Sequence, residues 1–134
     1  MNETNQEIKE LQVTRGTYSP IDVTANNEND GSDYVFKVGD VVRIRVYEKR
    51  NCNNVVLQKD VEITEETTVA QIILEKEDTL IGEPISKSVV YWYEIELNPD
   101  TKPQMIIGYE YDEENDKEIP KIFRLLPKGC DKKW

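Results

Sequence analysis

Apolar and polar residues alternate with a period of two along most of this chain. In VVRIRVYEK, Val42, Ile44 and Val46 share one side, while Val41, Arg43, Arg45 and Tyr47 share the other. That rhythm marks a half-buried strand, because successive side chains of an extended chain point to opposite faces. VVLQKDVEI repeats it, with Val55, Leu57, Val61 and Ile63 on one side, Lys59 interrupting, and Val56, Gln58, Asp60 and Glu62 opposite. VVYWYEIEL sets Tyr91, Tyr93, Ile95 and Leu97 on one face and Trp92, Glu94 and Glu96 on the other. Unpaired glutamates are costly to bury, so the tyrosine face is expected in the core and the Trp92 face outside.

The same reading extends over the rest of the chain. LQVTRG, SPIDV, VAQIIL, QMIIGYEY and IPKIFRLLP each predict a strand. Pro20 suits a strand start or a sheet edge, since it has no ladder donor. NNENDGSD, KRNCNN, NPDTKP and DEENDKE carry turn chemistry,. Gly39-Asp40 cuts a short apolar piece, YVFKV, from the strand that follows, and EKED has the make-up of a helical turn. The last three strands are expected to form consecutive antiparallel hairpins. Roughly eight short strands with turn signals between them, and no segment of helical period, predict an all-β protein. The expected architecture is an immunoglobulin-like antiparallel β-sandwich, with a small β-barrel as the alternative. A loose leader (1–10), one sandwich domain (11–129) and a polar tail (130–134) are the expected divisions.

The 134 residues suffice for one core without covalent staples,. The net charge of −10 repels phosphate backbones and anionic bilayers, so neither nucleic acid nor membrane is an expected partner. The chain has no apolar run long enough to cross a bilayer as a helix and no secretory leader pattern,. Cys52 and Cys130 are expected to be incidental thiols of a reduced compartment, with a disulfide as the alternative.

Histidine is absent, which removes the commonest proton shuttle and zinc ligand. The acidic stretch 110–118 invites a calcium reading. Counted from Asp112, Glu114 and Asp116 occupy the third and fifth positions of an EF-hand loop, but Lys117 stands where glycine is needed and Phe123 where the chelating glutamate belongs,. Counted from Asn26, the loop NNENDG ends on Lys37 at the chelating position. Neither is expected to hold a metal. With 27 acids, no pair stands out for glycoside hydrolysis, and no phosphate-cradling glycine motif occurs,. Cys52 lies beside Lys49 and Arg50 but has no partner base,. No enzyme activity and no cofactor are expected.

What remains is a surface. An exposed tryptophan on a sheet can anchor a protein contact or stack on a sugar. If the strands carrying Trp92, Glu94, Glu96 and Arg43, Arg45, Tyr47 are neighbours, Arg–Glu cross-strand pairs with an aromatic among them should follow. The plainer alternative buries half of Trp92 under a loop such as 79–88.

The succession VTRGTYSPIDV, FKVGDVVRIRVYEK, VVLQKDVEIT, EDT, YWYEIEL and IIGY…KIFRLLPKG resembles the N-terminal β-sandwich domain of phage upper-baseplate-type proteins of Gram-positive phages and prophages. The likeness spans 11–129. It departs from that family at Arg15-Gly16-Thr17, where an RGD-like start is usual, and in lacking the long C-terminal extension. It implies a non-enzymatic virion structural protein, an interaction module in tail or baseplate assembly, made in the bacterial cytoplasm. Its implied partners are other phage structural proteins, with homo-oligomerisation possible. The alternative function is a carbohydrate-binding β-sandwich module.

Overall fold

The computed structural model describes residues 10–27, 30–49, 53–108 and 110–128. Ten strands follow in order: β1 (Leu11–Thr14), β2 (Ser19–Val23), β3 (Val41–Lys49), β4 (Asn53–Glu62), β5 (Ala70–Leu74), β6 (Val89–Leu97), β7 (Gln104–Ile107), β8 (Tyr111–Asp112), β9 (Lys117–Glu118) and β10 (Ile122–Leu126). A 3-10 turn, Lys76–Thr79, follows β5 where EKED predicted one. The protein is therefore all-β, and its main sheet does not close into a barrel.

The main sheet runs β1-β10-β6-β3-β4, with β7 also on β6. The smaller sheet is β2-β5, and it packs beneath β4 and β3. The core lies between these layers: Ile21, Val23, Ala70, Ile72 and Leu74 from the small sheet meet Val42, Ile44, Val46, Leu57, Tyr93, Ile95 and Leu97 from the large one. These belong to the inward sets that the alternation assigned, but Val55, assigned with them, lies beyond the bulge in the β3–β4 pairing and is exposed. Burial of each large side chain is worth about 2 kcal/mol, so the period of two carries most of the driving force for this arrangement.

Two expectations are corrected. The sheet is not wholly antiparallel, because β1 joins β10 in parallel register, Leu11 opposite Phe123 and Thr14 opposite Leu126. The chain leaves β1 through the turn at 15–18 and enters the other sheet as β2, so the first strand can fill only an outer edge of the large one. The last three strands are not consecutive hairpins either. β6 and β7 form one, but β10 pairs with β6 at Val89–Trp92, on the same edge that β7 occupies at Ile95–Leu97. Between them the acidic tip folds into the separate β8-β9 pair, which raises the count above the expected eight. The short apolar piece YVFKV, cut off from β3 as expected, serves the core from outside the strands. Phe36 makes an isolated bridge with Thr67 and is wholly buried, with Tyr34 edge-on to its ring at 5.1 Å.

Candidate functional site

The six residues expected to form a surface come together on the outward face of adjacent strands. β3 and β6 pair antiparallel with Arg43 opposite Glu96, Arg45 opposite Glu94, and Tyr47 opposite Trp92. The charges do not combine as expected, however. Arg43 turns toward β4 and holds Asp60 with two hydrogen bonds, Nε to Oδ1 at 2.8 Å and Nη2 to Oδ2 at 3.0 Å, while Nη2 also reaches Asp100 at 3.3 Å. Hydrogen bonding to Asp60 and its charge strengthen the hold of Arg43 on its proton. Arg45 Nε donates to Gln58 Oε1 at 2.8 Å, and the Tyr47 hydroxyl donates to Glu94 Oε1 at 2.9 Å.

Two placements on this face are corrected. Tyr47, grouped with the outward residues, is only 5% exposed. A bulge between Val46 and Tyr47 shifts the pairing with β4, so that Tyr47 faces Val55 and its ring is covered while its hydroxyl finds a carboxylate. Trp92 is half-buried. Within the 79–88 connection, Ile81 and Gly82 pack at Arg15 and Tyr91, on the core side. Gln58, Asp60 and Asp100 were not singled out from the sequence: counting register back from the β3–β4 loop places Lys59 opposite Arg43, and only the bulge brings Asp60 there.

A second constellation joins distant parts of the chain. Thr79, fully buried, accepts hydrogen bonds at Oγ1 from the backbone N–H groups of Gly16 (2.7 Å) and Thr17 (3.2 Å). Arg15, 7% exposed, donates from Nε to the Ile81 carbonyl at 3.3 Å and from Nη2 to the Gly82 carbonyl at 2.7 Å. Gly16 has φ of +75°, which a side chain would strain. RGT and EDT thus clasp each other and tie the turn between the sheets to the 3-10 turn. Nearby, Asp78 Oδ2 accepts from Lys59 Nζ at 2.8 Å and from the Glu75 N–H at 2.8 Å. Although partial burial works the other way, these bonds hold the Asp78 carboxyl below the ordinary carboxylate range. Lys59, which interrupts an apolar face, is thereby satisfied.

The Gly39-Asp40 break is a hub of the same kind. Asp40 accepts from the Tyr34 hydroxyl and the Lys37 N–H, each at 2.9 Å, and from Asn98 Nδ2 at 3.2 Å. Burial opposes its ionisation, but these donors keep its carboxyl below the usual range.

The acidic stretch 110–118 uses its carboxylates locally. Asp112 accepts from the N–H groups of Glu114 and Asn115 and from the Asn115 side chain. In the 26–33 loop, Asp30 Oδ1 accepts from the N–H and hydroxyl of Ser32. No group of three potential metal ligands occurs among the described residues. An open cleft of about 530 Å³ lies between the 25–34 loop and β7, lined by Asn26, Asn27, Tyr34, Gln104 and Met105 among others. Cys52, Cys130 and most of the expected leader and tail lie outside the described residues. The sequence matches no family model and no curated protein, and the fold matches no solved structure.

Proposed function

We propose that this protein is a non-enzymatic structural module of a phage or prophage particle, acting in tail or baseplate assembly through its sheet surfaces. The observation that carries this reading is the outward face of β4, β3 and β6. Its long side chains are already fixed to one another, Arg43 to Asp60, Arg45 to Gln58 and Tyr47 to Glu94. A face whose rotamers are set before contact loses less entropy when a rigid partner docks. The segments that carry the likeness to baseplate domains add support of another kind. RGT, EDT and GD act here as pins of the architecture, holding the face in one shape.

A sugar-binding face would need a row of exposed rings. Tyr47 is covered and Trp92 only half-open, so the assembly reading is the better supported. Sedimentation of the purified chain, alone and mixed with the tail proteins encoded beside it, tests the proposal. Co-sedimentation with at least one of them is expected. A strict monomer that ignores every virion protein overturns it.

A further inference from the structure

Among the described residues, β4 is the longest edge strand, ten residues paired on one side only, with β3. The direction of its free backbone groups follows from the ladder. Val41 turns its backbone toward β6, since its carbonyl accepts from the Asn98 N–H at 2.7 Å and its N–H donates to Asn98 Oδ1 at 2.9 Å. By alternation, Val42, Ile44 and Val46 bond across to Val61, Lys59 and Leu57, their partners in register,. Ile63 keeps the same parity, donating to the Asp40 carbonyl at 2.8 Å and accepting from the Gly39 N–H at 2.9 Å. The N–H and C=O groups of Gln58, Asp60 and Glu62 therefore face outward, away from β3.

The edge is regular where it matters. The bulge disturbs it only above Leu57. Lys59, the sole cation of the strand, points inward and is taken by Asp78 at 2.8 Å, while Glu75 and Glu77 add their field to that lysine. Glu62 leaves the end of the open edge acidic, and the carboxylate of Asp60, shared with Arg43 at 2.8 Å, lies beside it. An unpaired row of this kind is a template for strand addition. A second copy is a poor occupant, because two-fold pairing of like edges brings acid against acid.

We infer that the Leu57–Glu62 edge of β4 accepts an extended basic segment of a partner protein, added antiparallel, with lysine or arginine at alternate positions opposite Asp60 and Glu62. The inference deepens the assembly reading by naming the partner's chemistry, and rests on it only in supposing that the surface serves a protein.

A short synthetic peptide alternating lysine with threonine and valine is the probe. Titrated into the labelled protein, it is expected to slow hydrogen exchange at the Gln58, Asp60 and Glu62 amides and to lose affinity as salt rises from about 0.05 M to about 0.3 M. The matched peptide with glutamate in place of lysine should not bind. Glu62→Lys, at an exposed strand end, should weaken binding about fivefold. Gln58→Pro deletes an outward N–H without touching the β3 ladder and should remove the protection. Binding that protects other amides, or equal binding of the acidic peptide, overturns the inference, as does absence of saturable binding by a wild-type protein with native melting. Failure of tail proteins to co-sediment would overturn the assembly reading and leave the peptide result standing. Loss of the peptide result alone would overturn only the edge assignment.

Discussion

Thr79 shows how much one hydroxyl can hold. It lies wholly inside the protein and accepts from two backbone donors of the Gly16–Thr17 turn. Replacing it by valine keeps the shape and strands both N–H groups, so Thr79→Val should cost about 3 kcal/mol. Thr79→Ser keeps the acceptor and should cost about 1 kcal/mol, the price of a lost methyl. Urea denaturation of the two variants checks the order; equal losses would mean that packing, not hydrogen bonding, makes the clasp. Tyr93 presents the opposite situation. Its ring fills the core at 3% exposure, and burial pushes its hydroxyl up to about 12. The alternation placed that ring inward correctly, yet it could not find the Thr79 clasp. Alternation reports which face is buried, whereas the clasp joins residues more than sixty positions apart through two turns that have no period at all.

At the scale of elements, β6 is the member on which the large sheet depends. It is bonded to β3 along one edge and shared between β10 and β7 along the other. Ile95 sits at its centre with 1% exposure, so Ile95→Ala should cost about 3 kcal/mol through lost burial and the cavity left behind. The fall in the urea midpoint should come with an unchanged transition slope; a changed slope would mean that the sheet no longer melts as one unit. The strands with strong alternation, β3, β4 and β6, were legible from the sequence, as was the turn after β5. Pairing partners were less so. Nothing local distinguishes a final strand that folds back on β7 from one that passes it and takes the same edge of β6. Likewise the Tyr47 bulge needs only one extra residue in β4, and the alternation on either side of it reads as unbroken. Of the six surface residues, the common phase within each strand was legible, but neither the adjacency of β3 and β6 nor the partners of the arginines was, because register between strands is set by turns and a bulge that alternation does not report.

For the molecule as a whole, the net charge of −10 and the two pinned aspartates set opposing trends with pH. Mild acidification reduces self-repulsion and should stabilise the fold. Asp40 and Asp78 work in the other direction. Their carboxyls are held below their ordinary value in the folded state, so the folded protein binds fewer protons than the unfolded chain. Their contribution is complete above about pH 4, the ordinary carboxylate range, and is lost as pH falls through the lowered folded values. Urea midpoints should therefore peak at mildly acidic pH and drop below about pH 4. In Asp78→Asn the drop should be shallower and the stability at neutral pH lower; an unaltered acid limb would show that Lys59 does not favour the ionised form.

The parallel pairing of β1 with β10 has a mechanical corollary. Because both strands run the same way, Glu10 and Lys128 emerge at opposite poles of one edge. Tension drawn between those points lies along the strands and loads every bond of the ladder together, with the Glu10–Arg124 contact at 2.8 Å bracing the entry. An antiparallel edge pulled from adjacent ends would open one rung after another like a zip. This edge must slip all at once, so the fold should withstand stretching better than its modest core suggests.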